Sequence, residues 1–457
     1  MGGPAIPISG CTGVVWPAIP KRPESVLFSV LRQLEQSEWW PPETLLAQQL
    51  RQVERILAHA AATVPFYAER LKVLGNLKPG GLTLDAFRRI PILGRTDIQE
   101  AGESLVSRKI PADHGAAFEI KTSGSTGRPI AVKGTAVTGL MLRASNLRYH
   151  LWFKRDLSAK TACIRMLKGR QLQAAAAGKP VPWADGYPSG PMYLRHVATP
   201  ISEQLEWLAA LDPDYLLTFP SNLLALIRLS RKKGVRLPKL REVATLGEAF
   251  DPAAREACET HWGVPVADAY SSQEFGLIAV QCPDDPERRY HMMGETILAE
   301  ILNAKDEPCA PGESGRMVLT ALHNFATPLI RYEIGDVAQA CAPCGCGRGL
   351  MTVAQILGRT RNMLVLPSGE QICPRFNFEE FLFEFPIRQF QVIQESLETL
   401  AVRLVAERKL SPDEEKVVEQ TLLAGARHPF RVRIEYLPEI PRAASGKFEE
   451  FRSEVSV

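Results

Sequence analysis

Lys121-Thr122-Ser123-Gly124-Ser125-Thr126-Gly127-Arg128-Pro129 gathers hydroxyls, two glycines and a cation into one short stretch. Apolar-rich Ala116-Ala117-Phe118-Glu119-Ile120 precedes it and Ile130-Ala131-Val132 follows. Branched and alternating apolar flanks around turn residues predict a strand, a loop and a second strand. Glycines let backbone N–H groups approach a polyanion, and serine and threonine hydroxyls add donors around the same oxygens. Thr122, Ser123, Gly124, Ser125, Thr126 and Gly127 are therefore read as a phosphate-binding loop. It is not a P-loop, because the G-x-x-x-x-G-K-[ST] spacing and its lysine are missing. A turn of this composition is often only a turn, so its meaning depends on the rest of the chain.

The chain has 457 residues, 45% hydrophobic and 23% charged, with a formal charge of +3. That length allows two or three domains, and the composition is that of a soluble globular protein. The near balance of charge gives no reason to expect nucleic acid or an anionic membrane surface. No run of about 18 apolar residues suggests a spanning helix. Residues 1–23 lack the basic start and apolar core of a signal peptide; they are read as a loosely ordered extension of a cytoplasmic protein. The nine cysteines do not form a disulfide framework. Cys11, Cys163, Cys258, Cys309 and Cys373 are scattered singly, whereas Cys282, Cys341, Cys344 and Cys346 form a set.

From Pro42, apolar residues at three- and four-residue spacing predict a helix ending near Pro65, followed by a short one over 66–74. Residues 79–110 read as loop with a short helix, and 135–154 as a further helix. Residues 168–200 show no usable period. Beyond them strands and helices alternate. Strand 215–219 leads into a helix opened by Pro220-Ser221 and stopped by Gly234. Strand 243–246 is followed by a helix capped by Asp251, with Pro252 first and Gly263 past its end. Strand 264–269 then runs into Tyr270. This alternation predicts a layered α/β fold with a largely parallel sheet. Past Gly294 the pattern turns to strands over 296–302, 316–322 and 329–332. After a boundary at 357–362 comes a compact α+β unit with strands 390–394, 400–405 and 431–436. Its helix opens on the capping box Ser411-Pro412-Asp413-Glu414.

Several segments at expected strand ends carry chemistry. In Tyr270-Ser271-Ser272-Gln273-Glu274-Phe275-Gly276 the ring can stack on a base, and Glu274 can hold Mg²⁺ through oxygen. Leu246-Gly247-Glu248-Ala249-Phe250 ends the preceding strand, so the two segments are expected to be neighbours. Asp336, expected just beyond the strand at 329–332, is suited to accept from two ribose hydroxyls, and Arg359 is a second ribose or phosphate candidate. Pro441-Arg442-Ala443-Ala444-Ser445-Gly446-Lys447 is a glycine-bearing loop ending in a lysine. Arg228, Arg231, Lys232, Lys233 and Arg236 cluster at a helix end, either complementing the helix dipole or offering a dock for a coenzyme A phosphate.

Taken in order, Thr122–Pro129, Tyr270–Glu274, Gly312–Arg316, Arg331–Asp336, Gly358–Asn362 and Pro441–Lys447 resemble the core motifs of the adenylate-forming superfamily. Its members are acyl- and aryl-coenzyme A ligases, peptide-synthetase adenylation domains and luciferases. Pro220-Ser221-Asn222 and Asn324–Tyr332 look most like the phenylacetate–coenzyme A ligase branch. The resemblance covers roughly residues 40 to 455 and implies a large N-terminal AMP-binding domain (24–358), a hinge (359–362) and a small α+β C-terminal domain (363–457). It implies ATP-dependent conversion of an aromatic or small carboxylic acid to an acyl-adenylate, then transfer to coenzyme A. The rivals are transfer to an amine or a carrier-protein thiol, or a non-catalytic nucleotide-binding homologue.

By the same resemblance, residues 122–127 would hold the β- and γ-phosphates and Gly247, Glu248, Tyr270, Ser271, Asp336 and Arg359 the rest of the nucleotide. Mg²⁺ would sit near Glu274. Lys447 would bridge the substrate carboxylate and the α-phosphate. Phe219, Ser221, Asn222, Gly247 and Tyr270 would line the acid pocket, and Asn362, where many relatives have Asp, would be the pivot. Gln273 stands where relatives often have Thr or Ser. Cys282, His291, Cys344 and Cys346 form C-x8-H followed far downstream by C-x-C, a donor set suited to tetrahedral Zn²⁺, with Cys341 a competing partner. Some members of the branch carry such a structural zinc. No nucleic-acid partner and no membrane insertion are expected, and homodimer formation is left open.

Overall fold

The computed structural model describes residues 7–10, 17–75, 78–121, 129–250, 252–374, 376, 385–443 and 446–455. The phosphate-loop residues 122–127 and the expected cap Asp251 lie outside these. Two compact units emerge: Met1–Lys160 with Pro180–Met192 and Ala267–Ile356, and Thr161–Lys179 with Tyr193–Val266 and Leu357–Val457.

In the first unit, strands Phe118–Lys121 and Ala131–Gly134 pair antiparallel, as the apolar flanks predict. The helix Pro42–Thr63 buries Leu45, Val53, Ile56, Leu57 and Ala60 on one face. From Val53 onward that face packs with Tyr67, Phe87, Leu319 and Tyr332 into the main core of the unit, while Leu45 packs with Tyr149, Trp152 and Leu350. The Tyr67 hydroxyl donates to the Pro328 carbonyl at 2.8 Å, which satisfies the one polar atom of a fully buried ring. The antiparallel strands run in the order Ile297–Leu302, Ser314–Ala321, Tyr332–Ala340, Thr352–Arg359, Tyr290–Met292, Gly276–Gln281 and Val266–Ser272.

Three features of this unit differ from the sequence reading. The turn to β structure comes before Gly294, with strands Gly276–Gln281 and Tyr290–Met292. The helix Glu24–Ser37 was not anticipated. Its N-terminal neighbour is not wholly loose, since Ile8 N–H donates to the Gly186 carbonyl at 3.1 Å. Finally, no strand covers 329–331. Arg331 adopts a φ of 49°, which breaks the extended chain, and the strand begins at Tyr332.

In the second unit, Thr161–Arg165, Tyr215–Thr218 and Glu242–Leu246 pair in parallel, the layout that strand–helix alternation predicts. Helix Pro220–Lys233 has Pro at its start and Gly234 in the left-handed region at its C-cap, as expected. The Leu357–Val457 portion holds a four-stranded sheet in the order Arg431–Tyr436, Thr399–Ala406, Ile387–Ser396, Phe451–Ser453. Against it packs the helix Pro412–Ala426, whose Ser411 and Glu414 form the reciprocal capping box. Strand Thr161–Arg165 was not anticipated, and helix Gly169–Ala176 and strand Met192–His196 fall in the 168–200 stretch that showed no usable period.

Candidate active site and metal centre

Within the second unit, Arg442 and residues 446–448 lie beside the end of the strand Glu242–Leu246. Gly247 has a φ of +89°, and a Cβ built on it would stand 3.0 Å from the Phe219 ring and 3.7 Å from Lys447 Cε. Glycine is therefore required twice, for conformation and for space. The Lys447 side chain crosses that vacated position, so two motifs far apart in the sequence meet here.

The residues flanking Lys447 are held by one carboxylate and one guanidinium. Phe448 N–H donates to Glu248 Oε1 at 2.6 Å. Arg442 Nη1 donates to the Gly446 carbonyl at 3.1 Å, to Ser221 Oγ at 3.0 Å and to Glu248 Oε1 at 3.3 Å. Ser221 N–H, in the first turn of its helix, donates to Glu248 Oε2 at 3.0 Å. The Glu248 side chain is thus committed to protein donors. Asn222 is fully buried, and its amide donates to Gln204 Oε1 at 2.8 Å and Thr218 Oγ1 at 3.0 Å. Through these two bonds it braces the strand–helix turn. Phe219 is 6% exposed at the helix N-cap.

Arg359 ends the strand Thr352–Arg359, and Asn362 closes the short 3₁₀ turn that follows. The basic cluster is largely engaged. Arg228 donates to the carbonyls of Ile387 and Arg388, and Lys232 pairs with Glu407 at 2.8 Å. Lys233 pairs with Glu206 at 3.1 Å, and Arg236 donates to the His261 carbonyl.

Within the first unit, Tyr270 and Asp336 come together, the tyrosine hydroxyl donating to Asp336 Oδ2. Tyr270, Ser271 and Ser272 lie inside the strand Val266–Ser272, not after it, because the antiparallel partner Gly276–Gln281 continues the ladder to Ser272. Asp336 likewise sits within a strand rather than beyond one. Opposite it the register shifts between Arg316 and Val318, which leaves a bulge in which Gly335 has a φ of +83°. Bulges re-aim side chains. Glu274 lies on the wall of a cavity of about 240 Å³ with Phe118, Ile120, Thr138, His323 and Asn324.

The four expected metal donors converge. The ligand atoms of Cys282, His291, Cys344 and Cys346 all lie within 4.8 Å of one another, and Cys346 Sγ is 3.3 Å from His291 Nε2. Zinc bonds of about 2.0–2.3 Å imply tetrahedral edges of roughly 3.5–3.8 Å, so a slight contraction suffices. Cys341 is not one of the cluster. Burial pushes the His291 imidazole down to about 4, which keeps it neutral, and its Nδ1 faces the Leu350 carbonyl at 3.4 Å. Burial pushes the Cys282 thiol up to about 12. Burial also works against a Cys346 thiolate, but hydrogen bonds from Arg348 help bring that thiol below its ordinary value. The donor chemistry fits zinc, and four filled positions leave none for substrate.

Residues 375–453 match the CapK C-terminal domain family. The chain is 27% identical over 372 residues to the phenylacetate–coenzyme A ligase of Thermus thermophilus, covering 78% of this chain and 79% of that protein. It is 24% identical over 391 residues to the Escherichia coli enzyme of the same name, covering 79% and 82%. A crystal structure of 2-hydroxyisobutyryl-CoA ligase, in the postadenylation state with R3-HIB-AMP, matches with a TM-score of 0.72 at 17% identity, covering 92% of each chain. The chain has the fold of an adenylate-forming CoA ligase, and its sequence resembles such ligases. Within that class, its sequence is most like phenylacetate–coenzyme A ligases. Among the described residues no helix is long and apolar enough to cross a membrane.

Proposed function

We propose that the chain activates an aromatic or small carboxylic acid with ATP and passes the acyl group to coenzyme A. In the first step a carboxylate oxygen attacks the α-phosphorus, and pyrophosphate leaves. In the second, the coenzyme A sulfur attacks the acyl carbon, and AMP leaves. Two anions must meet, so the protein's task is positive charge and orientation. The observation that carries the reading is the seat of Lys447 over Gly247 at the strand end, where an ammonium can serve the developing charge on the α-phosphate.

The loop residues 122–127 would donate to the terminal phosphates, and Ser271 and Arg359 would add further contacts. Tyr270 would stack on adenine, and Asp336 would accept from the ribose hydroxyls. Gly247 would admit Lys447 to the side of the nucleotide, and Phe219 and Ser221 would border the acid. Glu274 would hold Mg²⁺, which when bound neutralises phosphate charge. The large portion to residue 358 and the portion from 363 would pivot about Asn362, withdrawing Lys447 before the thiol attacks. Cys282, His291, Cys344 and Cys346 would hold a structural zinc. We place the enzyme in the cytoplasm, where ATP and coenzyme A are supplied.

Acid-dependent exchange of labelled pyrophosphate into ATP, over a panel of aromatic and short-chain acids, tests the first half-reaction. Mass spectrometry with coenzyme A, amines or carrier protein as acceptor tests the second. Lys447→Ala is expected to lower the exchange by about 10²–10³-fold, the usual cost of one charge-stabilising group. Thioester formation from supplied acyl-adenylate should change by only a few fold. Equal losses in both would contradict the role of Lys447.

A further inference from the structure

We infer that Glu248 and Arg442 are positioning residues that latch the Lys447 loop in its adenylating seat, and that opening this latch precedes thioester formation. The inference rests on the adenylating reading of Lys447. Its ground is that the backbone is fixed on both sides of that lysine by one ion pair. Before it, the Gly446 carbonyl accepts from Arg442; after it, Phe448 N–H donates to Glu248. The same carboxylate takes Ser221 N–H, and the same guanidinium reaches Ser221 Oγ, so both partners anchor to the first turn of helix Pro220–Lys233. The Arg442 and Glu248 side chains are 20% and 6% exposed, dry enough for charge-assisted bonds to be strong.

The composition of the latch also explains why it can open. It is made of hydrogen bonds between an arginine, a glutamate, a serine and backbone groups, all of which water can replace. A seat held by apolar packing would give up buried area on release. Arginine suits the task because its planar fork presents several N–H donors at once, and here a single terminal nitrogen serves three acceptors. A lysine in its place has a point charge on a flexible stem and cannot hold the same constellation. Release frees Lys447 together with Gly446 and Phe448, so the cation leaves with the loop and not by a rotamer change alone.

Arg442→Gln and Glu248→Gln are compared with Arg442→Lys, Lys447→Ala and the wild type in three measurements. Acid-dependent pyrophosphate exchange should fall at least tenfold in kcat for both glutamine variants, with the KM for ATP within twofold. Arg442→Lys should recover part of the loss. Thioester formation from supplied acyl-adenylate and coenzyme A should stay at the wild-type rate or rise. Amide hydrogen exchange over residues 446–455 should be at least tenfold faster in the glutamine variants, whatever their activity. Equal falls in both half-reactions, or wild-type amide protection in Arg442→Gln, would overturn the latch. If the wild type exchanges no pyrophosphate with any acid, the adenylating reading and the role that depends on it are overturned. Amide exchange then still reports whether the loop is held by the pair.

Discussion

At the residue scale, what a side chain was for could be read only where its partner was near in sequence or its chemistry was exclusive. Three thiols and an imidazole are soft donors that suit a metal better than they suit solvent or core, and they converge. Glu248 and Arg442 lie 194 residues apart and nothing in either segment announces the other. Asn222 was read as a pocket residue beside Pro220-Ser221, and nothing in that segment told that its amide donates to Thr218 and Gln204. His323 drew no attention in the sequence. In the structure its Nδ1 is buried with no hydrogen-bond partner among the described residues. Burial, reinforced by His114, pushes this imidazole down to about 4 from an ordinary 6.5. The folded state therefore refuses a proton that the unfolded chain accepts. The stability this provides is fully present above about pH 6.5 and is lost as pH falls toward 4, by up to about 3 kcal/mol. Denaturant titrations between those limits should show a flatter pH dependence for His323→Gln than for the wild type. Matching slopes would mean that the imidazole is not the group responsible.

At the element scale, long periodic segments were legible and interrupted ones were not. The helix from Pro42 and the capped helix after Ser411 follow the pattern because their apolar faces repeat without a break. The strand that carries Asp336 was misplaced because two local events outweigh residue preference, the left-handed Arg331 and the Gly335 bulge. Gly335→Ala has open space around its new Cβ, so only the φ of +83° penalises it. That strain costs about 1–2 kcal/mol and is relieved by reshaping the bulge. The KM for ATP should rise several fold with the fold retained; an unchanged KM would separate Asp336 from the nucleotide. The Cys/His cluster brings together Cys282 just past strand Gly276–Gln281, His291 within strand Tyr290–Met292, and the 344–346 loop. Purified protein should hold about one zinc per chain, and Cys344→Ser should lose it. The variant's melting temperature should fall by about 5 °C or more, because a few degrees correspond to each kcal/mol in a chain of this size. Metal-free protein with wild-type stability would end the assignment.

At the scale of the whole molecule, the layered α/β fold and the α+β end were legible because alternation of elements is a long-range pattern. The manner in which the C-terminal portion of the second unit is held was not, since it depends on side chains that touch only after folding. The basic cluster illustrates this. Its charges suggested a helix end or a phosphate dock, but two of them reach the C-terminal sheet: Arg228 to the carbonyls of Ile387 and Arg388, and Lys232 to Glu407. The two contacts should contribute unequally. Lys232 and Glu407 are 67% and 53% exposed, so water and salt screen the pair and it contributes little. Arg228 is buried enough that desolvation lowers its pKa to about 10, and the carbonyls it serves would lose their donor if it were removed. Lys232→Ala should therefore slow pyrophosphate exchange by no more than about threefold, and the difference should vanish near 0.5 M salt, where the Debye length is roughly 4 Å. Arg228→Ala should slow it about tenfold at low and high salt alike, with thioester formation from supplied adenylate unchanged. If the two variants responded alike to salt, the seam would be held by general charge attraction. The directed arginine-to-carbonyl bonds would then have no part in keeping the lysine loop seated.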